Sequence, residues 1–216
     1  MSNAIFFDMD GTLIDSKNDL AIAINHTRRD LGLPEKPIDE IASFVGNGVR
    51  RLVAGAIPEA ADRVDELVPR HMENYLLHLF DTTALYPSVR STLAELADRG
   101  WGLGIVTNKP SEATRRILEH FGLSRLFGNA VVGGGDCDEM KPSPKPLREA
   151  AARMRGHRLS SHDWMVGDNW TDMECAAGAG LKSAFCTFGF GNRRDSRCTV
   201  RINRFEELLR YCKAED

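Results

Sequence analysis

The sequence predicts an α/β fold: a Rossmann-like or flavodoxin-like parallel sheet with helices on both faces, plus an inserted α-helical cap domain. Three observations predict it. From Tyr86 onward, short apolar strands alternate with helical stretches, the pattern of right-handed βαβ crossovers. The apolar stretch "IFF" at residues 5–7 must join the same sheet, because the residues that follow it offer no strand partner. Residues 15–83 read as all-helical. The expected division is 1–14 and 84–216 for the α/β core, with 15–83 as the cap.

In chain order, "NDLAIAINHTRRDLGLP" carries Leu20, Ala23, Ile24, Thr27 and Leu31 at helical spacing and stops at Gly32 and Pro34. "IDEIASFV", "GVRRLVAGAI" and "EAADRVDELVPRHMENYLLHLF" continue as helices. In the last, Val64, Leu67, Val68, Met72, Tyr75, Leu76 and Leu79 form one apolar stripe, and Pro69 is expected to break or kink it. His71 and His78 are expected at the surface of that helix, since no third ligand accompanies them. The core then runs helix "SVRSTLAELADRG", strand "GLGIVTN", helix "SEATRRILEHFG", strand "AVVGG", helix "PLREAAARM", strand "DWMVGD", helix "TDMECAAGAG", strand "KSAFCT" and a last amphipathic piece, "FEELLRYC".

Bulk composition narrows the class. With 28 basic and 31 acidic residues, the chain lacks the broad positive field that recruits nucleic acid or anionic lipid. No segment approaches the roughly 18 apolar residues of a membrane span. The start "MSNAIFF" lacks the basic residues and long apolar run of a signal peptide. Five cysteines without a CxxC pair suit a reducing compartment. The expectation is a cytoplasmic protein with no nucleic-acid or membrane partner, monomeric or a homodimer.

Ligands of open parallel sheets bind beyond the carboxyl ends of the strands, so the residues that end each strand are informative. The first strand ends in Asp8, with Asp10 just beyond. The second ends in Thr107 and Asn108, and the fourth in Asp168, with Asp172 one helical turn later. Lys141 precedes a Pro-rich turn between them. Strands disfavour Asp, and unpartnered like charges repel, so the acids imply a missing cation. An all-oxygen donor set without Cys or His suits Mg²⁺, with Asp8 and Asp168 as carboxylate ligands. Mg²⁺ that keeps open positions, beside a lysine and a hydroxyl, suits a phosphate ester as substrate.

The ordered segments "DMDGT", "IVTN", "KPSP" and "VGDNWTD" resemble the motifs of the haloacid dehalogenase (HAD) superfamily of phosphatases. The helical insertion resembles that superfamily's cap. "YPSVRSTLAELADRGWGLGIVTNKP" and "FVGNGVRRL" are similar to the phosphoglycolate phosphatase branch. The resemblance runs nearly the whole chain and implies an HAD-like core. It implies that Asp8 attacks phosphorus to form an aspartyl-phosphate and that Asp10, oriented by Thr12, serves as general acid and then base. It further implies that Asp10 gives its backbone carbonyl to Mg²⁺ and Asp168 its carboxylate, while Asp172 contacts the ion through water. Thr107, Asn108 and Lys141 would hold the substrate's phosphoryl group, Lys141 also pairing with Asp8. Asn169 departs from the Ser or Thr commoner at its position. The implied substrate is a small phosphorylated metabolite, 2-phosphoglycolate first, with nucleotide monophosphates, sugar phosphates and pyrophosphate behind it. A sugar phosphomutase of the same superfamily and a receiver-like phospho-aspartate module are the rival functions; the insertion and Asp10 count against the second.

Other features are ambiguous or bland. "GNGVRR" reads either as a helix start with Arg50 and Arg51 in water or as a loop over the site, with Arg50 meeting a substrate carboxylate. "GAGLKS" is a helix-ending turn and "VVGGGDCD" a strand-to-loop turn. Lys109 reads as a solvated charge.

Overall fold

The computed structural model describes residues 3–213, so residues 1–2 and 214–216 of the expected core segments lie outside the described residues. Strand β1 (Ala4–Phe7) opens the sheet, and β2 (Ile14–Asp15) pairs antiparallel with β3 (Ala84–Leu85). Between these two short strands lie helices α1 (Lys17–Asp30), α2 (Ile38–Ala42), α3 (Val49–Ala56) and α4 (Val64–Leu77), with a 3₁₀ helix at Pro58–Arg63. The chain therefore leaves and re-enters the α/β layer side by side. After β3 come α5 (Val89–Asp98), β4 (Gly102–Pro110), α6 (Ser111–His120), α7 (Ser124–Phe127), β5 (Val131–Gly134), α8 (Lys145–Arg153) and β6 (Trp164–Gly167). They are followed by α9 (Trp170–Ala179), β7 (Lys182–Cys186), β8 (Val200–Ile202) and a closing 3₁₀ helix at Phe205–Arg210.

The main sheet has six strands in the order β5-β4-β1-β6-β7-β8, every neighbouring pair parallel. This is the Rossmann order, not the flavodoxin one, and its direction of winding reverses between β1 and β6. All of β1 is buried because it pairs on both sides and is covered on both faces. Ile5 and Phe7 enter one apolar cluster while Ala4 and Phe6 enter the other, as the period of two dictates. β8 was not among the expected strands: three residues with Arg201 exposed give too short a pattern to read.

Pro69 does not break α4. Leu67, His71 and Tyr75 share one buried face of this helix, and their packing outweighs the one backbone donor that proline lacks. Two buried ionic groups tie the insertion together. The Arg28 guanidinium bonds to the carbonyls of Pro34 and Ala56 and, two-pronged, to Glu59 at 2.9 and 3.0 Å. That hydrogen bonding holds the Glu59 carboxyl down at about 2. Asp19 of α1 accepts from the backbone N–H and hydroxyl groups of both Thr82 and Thr83, at 2.6–3.1 Å, and so fastens the start of the insertion to its end. Burial raises the Asp19 pKa, but these donors together outweigh it and leave the carboxyl below its ordinary value. Among the described residues no helix is long and apolar enough to cross a membrane.

Candidate active site

The reversal of winding at β1 and β6 places Asp8 and Asp168 side by side at adjacent strand ends. The Asp8 N–H donates to the Val166 carbonyl at 2.9 Å, so sheet pairing continues up to the residue that carries the acid. Gly11 then turns the chain at φ +76°, in the left-handed region. A side chain there would collide with Asp168, whose Oδ2 lies 1.8 Å from where a Cβ would sit. A Cβ at Gly189 or Gly191 would also crowd the same carboxylate, at 2.4 and 2.8 Å from Oδ2, and the Gly191 N–H donates to Asp168 Oδ2 at 2.7 Å. Three glycines thus cradle one carboxylate. The sequence reading missed two of them, although "GFGN" was a visible signal.

Lys141 sits beneath the acids with all three donors used. Its Nζ lies 2.9 Å from Asp8 Oδ1 and 2.6 Å from Asp172 Oδ1, and it donates to the Val106 carbonyl at 2.8 Å. Burial works against the charge, but Asp172 and Asp8 outweigh it and hold the ammonium above its ordinary pKa. Asp172 both caps and pairs: its other oxygen accepts the Asn169 N–H at 3.0 Å, closing a capping box with the Asn169 side chain at the start of α9. Asn169 therefore serves this cap as a Ser or Thr would.

Oxygens of Asp8, Asp168 and Asp172 lie within 4.8 Å of one another, all three residues buried. Three carboxylates against the single Lys141 ammonium leave an excess of negative charge. Burial, with Asp8 and Asp172 alongside, pushes the Asp168 pKa well up. Burial also raises Asp172, to about 7 despite Lys141. Hard oxygen donors, excess negative charge and a rigid glycine cradle fit a divalent cation.

Asp10 is held differently from the expectation. Ser16 Oγ donates to its Oδ1 at 2.5 Å and Lys109 Nζ at 2.8 Å, while Thr12, buried in the turn, makes no hydrogen bond to it. Ser16 and Lys109 orient the acid in place of Thr12, because the turn at Gly11 brings the start of α1 and the end of β4 to its side. Lys109 is not the solvated charge expected of it: it is 5% exposed, and Tyr75 of α4 shares its ammonium. Burial lowers its pKa, but Asp10 and Tyr75 more than offset this and raise it.

Thr107, Asp8 and Asp10 line a cavity closed on its other side by Leu20, Val49, Leu52, His71, Met72 and Tyr75 of the insertion. Asn108 reaches that cavity, but its side chain is spent elsewhere. Its amide donates to the Gly46 and Lys141 carbonyls and accepts the Lys141 N–H, each at 2.9 Å, so it positions Lys141 and the 46–48 loop instead of offering a free group to a ligand. Arg50 is not brought to the site. Its guanidinium is exposed and paired with Asp65, since its place on α3 faces the start of α4. His71, expected at the surface, is 1% exposed because it shares the buried face of α4 with Leu67 and Tyr75.

The family model for haloacid dehalogenase-like hydrolases matches residues 5–186. A phosphoglycolate phosphatase from Cereibacter sphaeroides is 38% identical over 191 residues, covering 86% of this chain and 85% of its own length. Another from Vibrio cholerae is 36% identical over 198 residues, covering 87% of this chain and 85% of its own. The crystal structure of a predicted phosphoglycolate phosphatase from Haemophilus somnus superposes with a TM-score of 0.87 at 29% identity, covering 98% of both chains.

Proposed function

The chain belongs to the haloacid dehalogenase-like hydrolases, and on that premise we propose that it is a Mg²⁺-dependent phosphatase of small phosphorylated metabolites, with 2-phosphoglycolate the leading substrate. The observation that carries this reading is the buried set of Asp8 and Asp168 at adjoining strand ends with Asp172 and Lys141 beside them. The names of the relatives support 2-phosphoglycolate as the leading substrate.

Asp8 and Asp168, with the backbone carbonyl of Asp10 and with Asp172 beside them, would hold Mg²⁺, which when bound neutralises charge on the phosphoryl oxygens. Asp8 attacks phosphorus in line; a bond forms from its carboxylate oxygen as the bond to the leaving oxygen breaks, giving an aspartyl-phosphate. Lys141, anchored by Asp172 and Val106, keeps Asp8 aimed and spreads positive charge into the site. Asp10 gives a proton to the departing alcohol, then takes one from the water whose oxygen attacks the aspartyl-phosphate and frees Asp8 and phosphate. Thr107 lends its hydroxyl to the phosphoryl group from the end of β4. The insertion covers the site as a lid that excludes bulk water during transfer and releases product when it opens.

The test is phosphate release from a panel of phosphorylated metabolites with and without Mg²⁺. Many turnovers on 2-phosphoglycolate, at the highest kcat/KM of the panel, are expected. Conversion of sugar phosphates to isomers without free phosphate would mean a mutase, and a single stoichiometric burst a receiver-like module. Arg50→Ala is expected to leave KM for 2-phosphoglycolate within about twofold, as for an exposed ion pair away from the chemistry. A rise in KM confined to acidic substrates would return Arg50 to the site.

A further inference from the structure

The cavity beside Asp10 contains a polar group that the mechanism above does not use. His71 lines it and is 1% exposed, yet neither ring nitrogen has a hydrogen-bond partner; the Ala23 carbonyl acts on the ring without meeting hydrogen-bond geometry, which leaves the single N–H open to a ligand. The imidazole stacks parallel to Tyr75, with ring centroids 6.1 Å apart and planes 5° from parallel. Tyr75 bonds to Lys109, whose Nζ bonds to Asp10. His71 thus lines the same cavity as the proposed proton donor and is linked to it through Tyr75 and Lys109. Burial, reinforced by the Lys109 charge, brings the imidazole pKa down to about 4, so at neutral pH the ring offers one donor and one acceptor. An apolar residue would satisfy the helix face between Leu67 and Tyr75 without burying unmatched polar atoms.

We propose that His71 is a specificity-determining residue that hydrogen-bonds a second oxygen function, a carboxylate or hydroxyl, on the leaving alcohol of the substrate. The protein then prefers esters such as 2-phosphoglycolate to esters whose leaving group is purely apolar. The surrounding Leu20, Val49, Leu52 and Met72 keep that leaving group small and exclude water, which strengthens the contact. Lys109, next to Tyr75, supplies positive charge on the same wall.

The inference rests on the phosphatase reading, and its test separates the two. Ethyl phosphate matches 2-phosphoglycolate in length but lacks the carboxylate. In His71→Leu, the ratio of kcat/KM for 2-phosphoglycolate to that for ethyl phosphate is expected to fall about tenfold or more, chiefly through KM, and His71→Gln to restore part of it. The melting temperature of metal-free His71→Leu is expected not to fall, since an unmatched polar ring is removed. A ratio altered by less than about threefold in both variants overturns the proposal and leaves His71 a packing residue. Should the leucine variant fail to fold, the glutamine variant decides by the same threshold. Wild-type protein that releases phosphate from neither ester would sink the phosphatase reading itself, before any variant is made.

Discussion

Asp8→Asn is expected to lower kcat by about 10⁴-fold or more while leaving the protein folded. The amide keeps the shape of the carboxyl but is not a competent nucleophile toward phosphorus. Folding should survive because Lys141 retains Asp172 and the Val106 carbonyl as partners. Removing one of three clustered carboxylates also relieves repulsion in metal-free protein, so the melting temperature should hold or rise. Circular dichroism and phosphate release measured on the same preparation check both halves. Turnover within about tenfold of wild type would defeat the nucleophile assignment.

Mg²⁺ should stabilise the wild-type protein strongly, and Asp168→Asn should abolish that stabilisation along with activity. At a free ion concentration of about 100 Kd, linkage gives about 2.7 kcal/mol, or a rise of roughly 5–10 °C in melting temperature for a chain of this size. The pH dependence follows from the acids. Without the ion, Asp172 titrates at about 7 in the folded protein against an ordinary value of 3.8, and Asp168 is also raised. A raised acid contributes stability below its unfolded pKa and loses it as pH rises through the folded one. Metal-free protein should therefore lose stability between about pH 4 and 7. The stabilisation by Mg²⁺ should grow over the same range, because protons and the ion compete for the same oxygens. Thermal melts at two pH values, with EDTA or Mg²⁺, measure this directly. An equal Mg²⁺-induced shift in Asp168→Asn would remove Asp168 from the ion site.

Much of the fold was legible because apolar periodicity is a local property. The apolar run of β1 and the alternation of strands and helices after Tyr86 survive folding unchanged. The strands that escaped notice were β2, β3 and β8, each of two or three residues and therefore too short to carry a period. The helix runs through Pro69 without the expected break, because packing that the sequence does not display outweighs a single missing donor. Within the site, Asp8, Thr107 and Asp168 were legible as polar residues at strand ends, Asp172 as an acid one helical turn on, and Lys141 as a lysine before a Pro-rich turn. Lys109 and Tyr75 were not, because each owes its place to a partner far away along the chain; Ser16 and His71 were not, because the turn at Gly11 and the packed face of α4 are not displayed by spacing.

By itself the sequence determined the longer helices and strands, that they build a parallel sheet with a helical insertion, and that acids and a lysine gather at one edge. Spacing along the chain suffices for this, since strand and helix geometry carries each side chain to a known face. Only the tertiary structure decided the Rossmann strand order, the hold of Ser16 and Lys109 on Asp10, the glycine cradle around Asp168, the burial of His71 and the turning of Arg50 toward Asp65. Those outcomes depend on which distant surfaces meet. Contact between side chains is settled by packing in three dimensions, where proximity no longer follows separation along the chain.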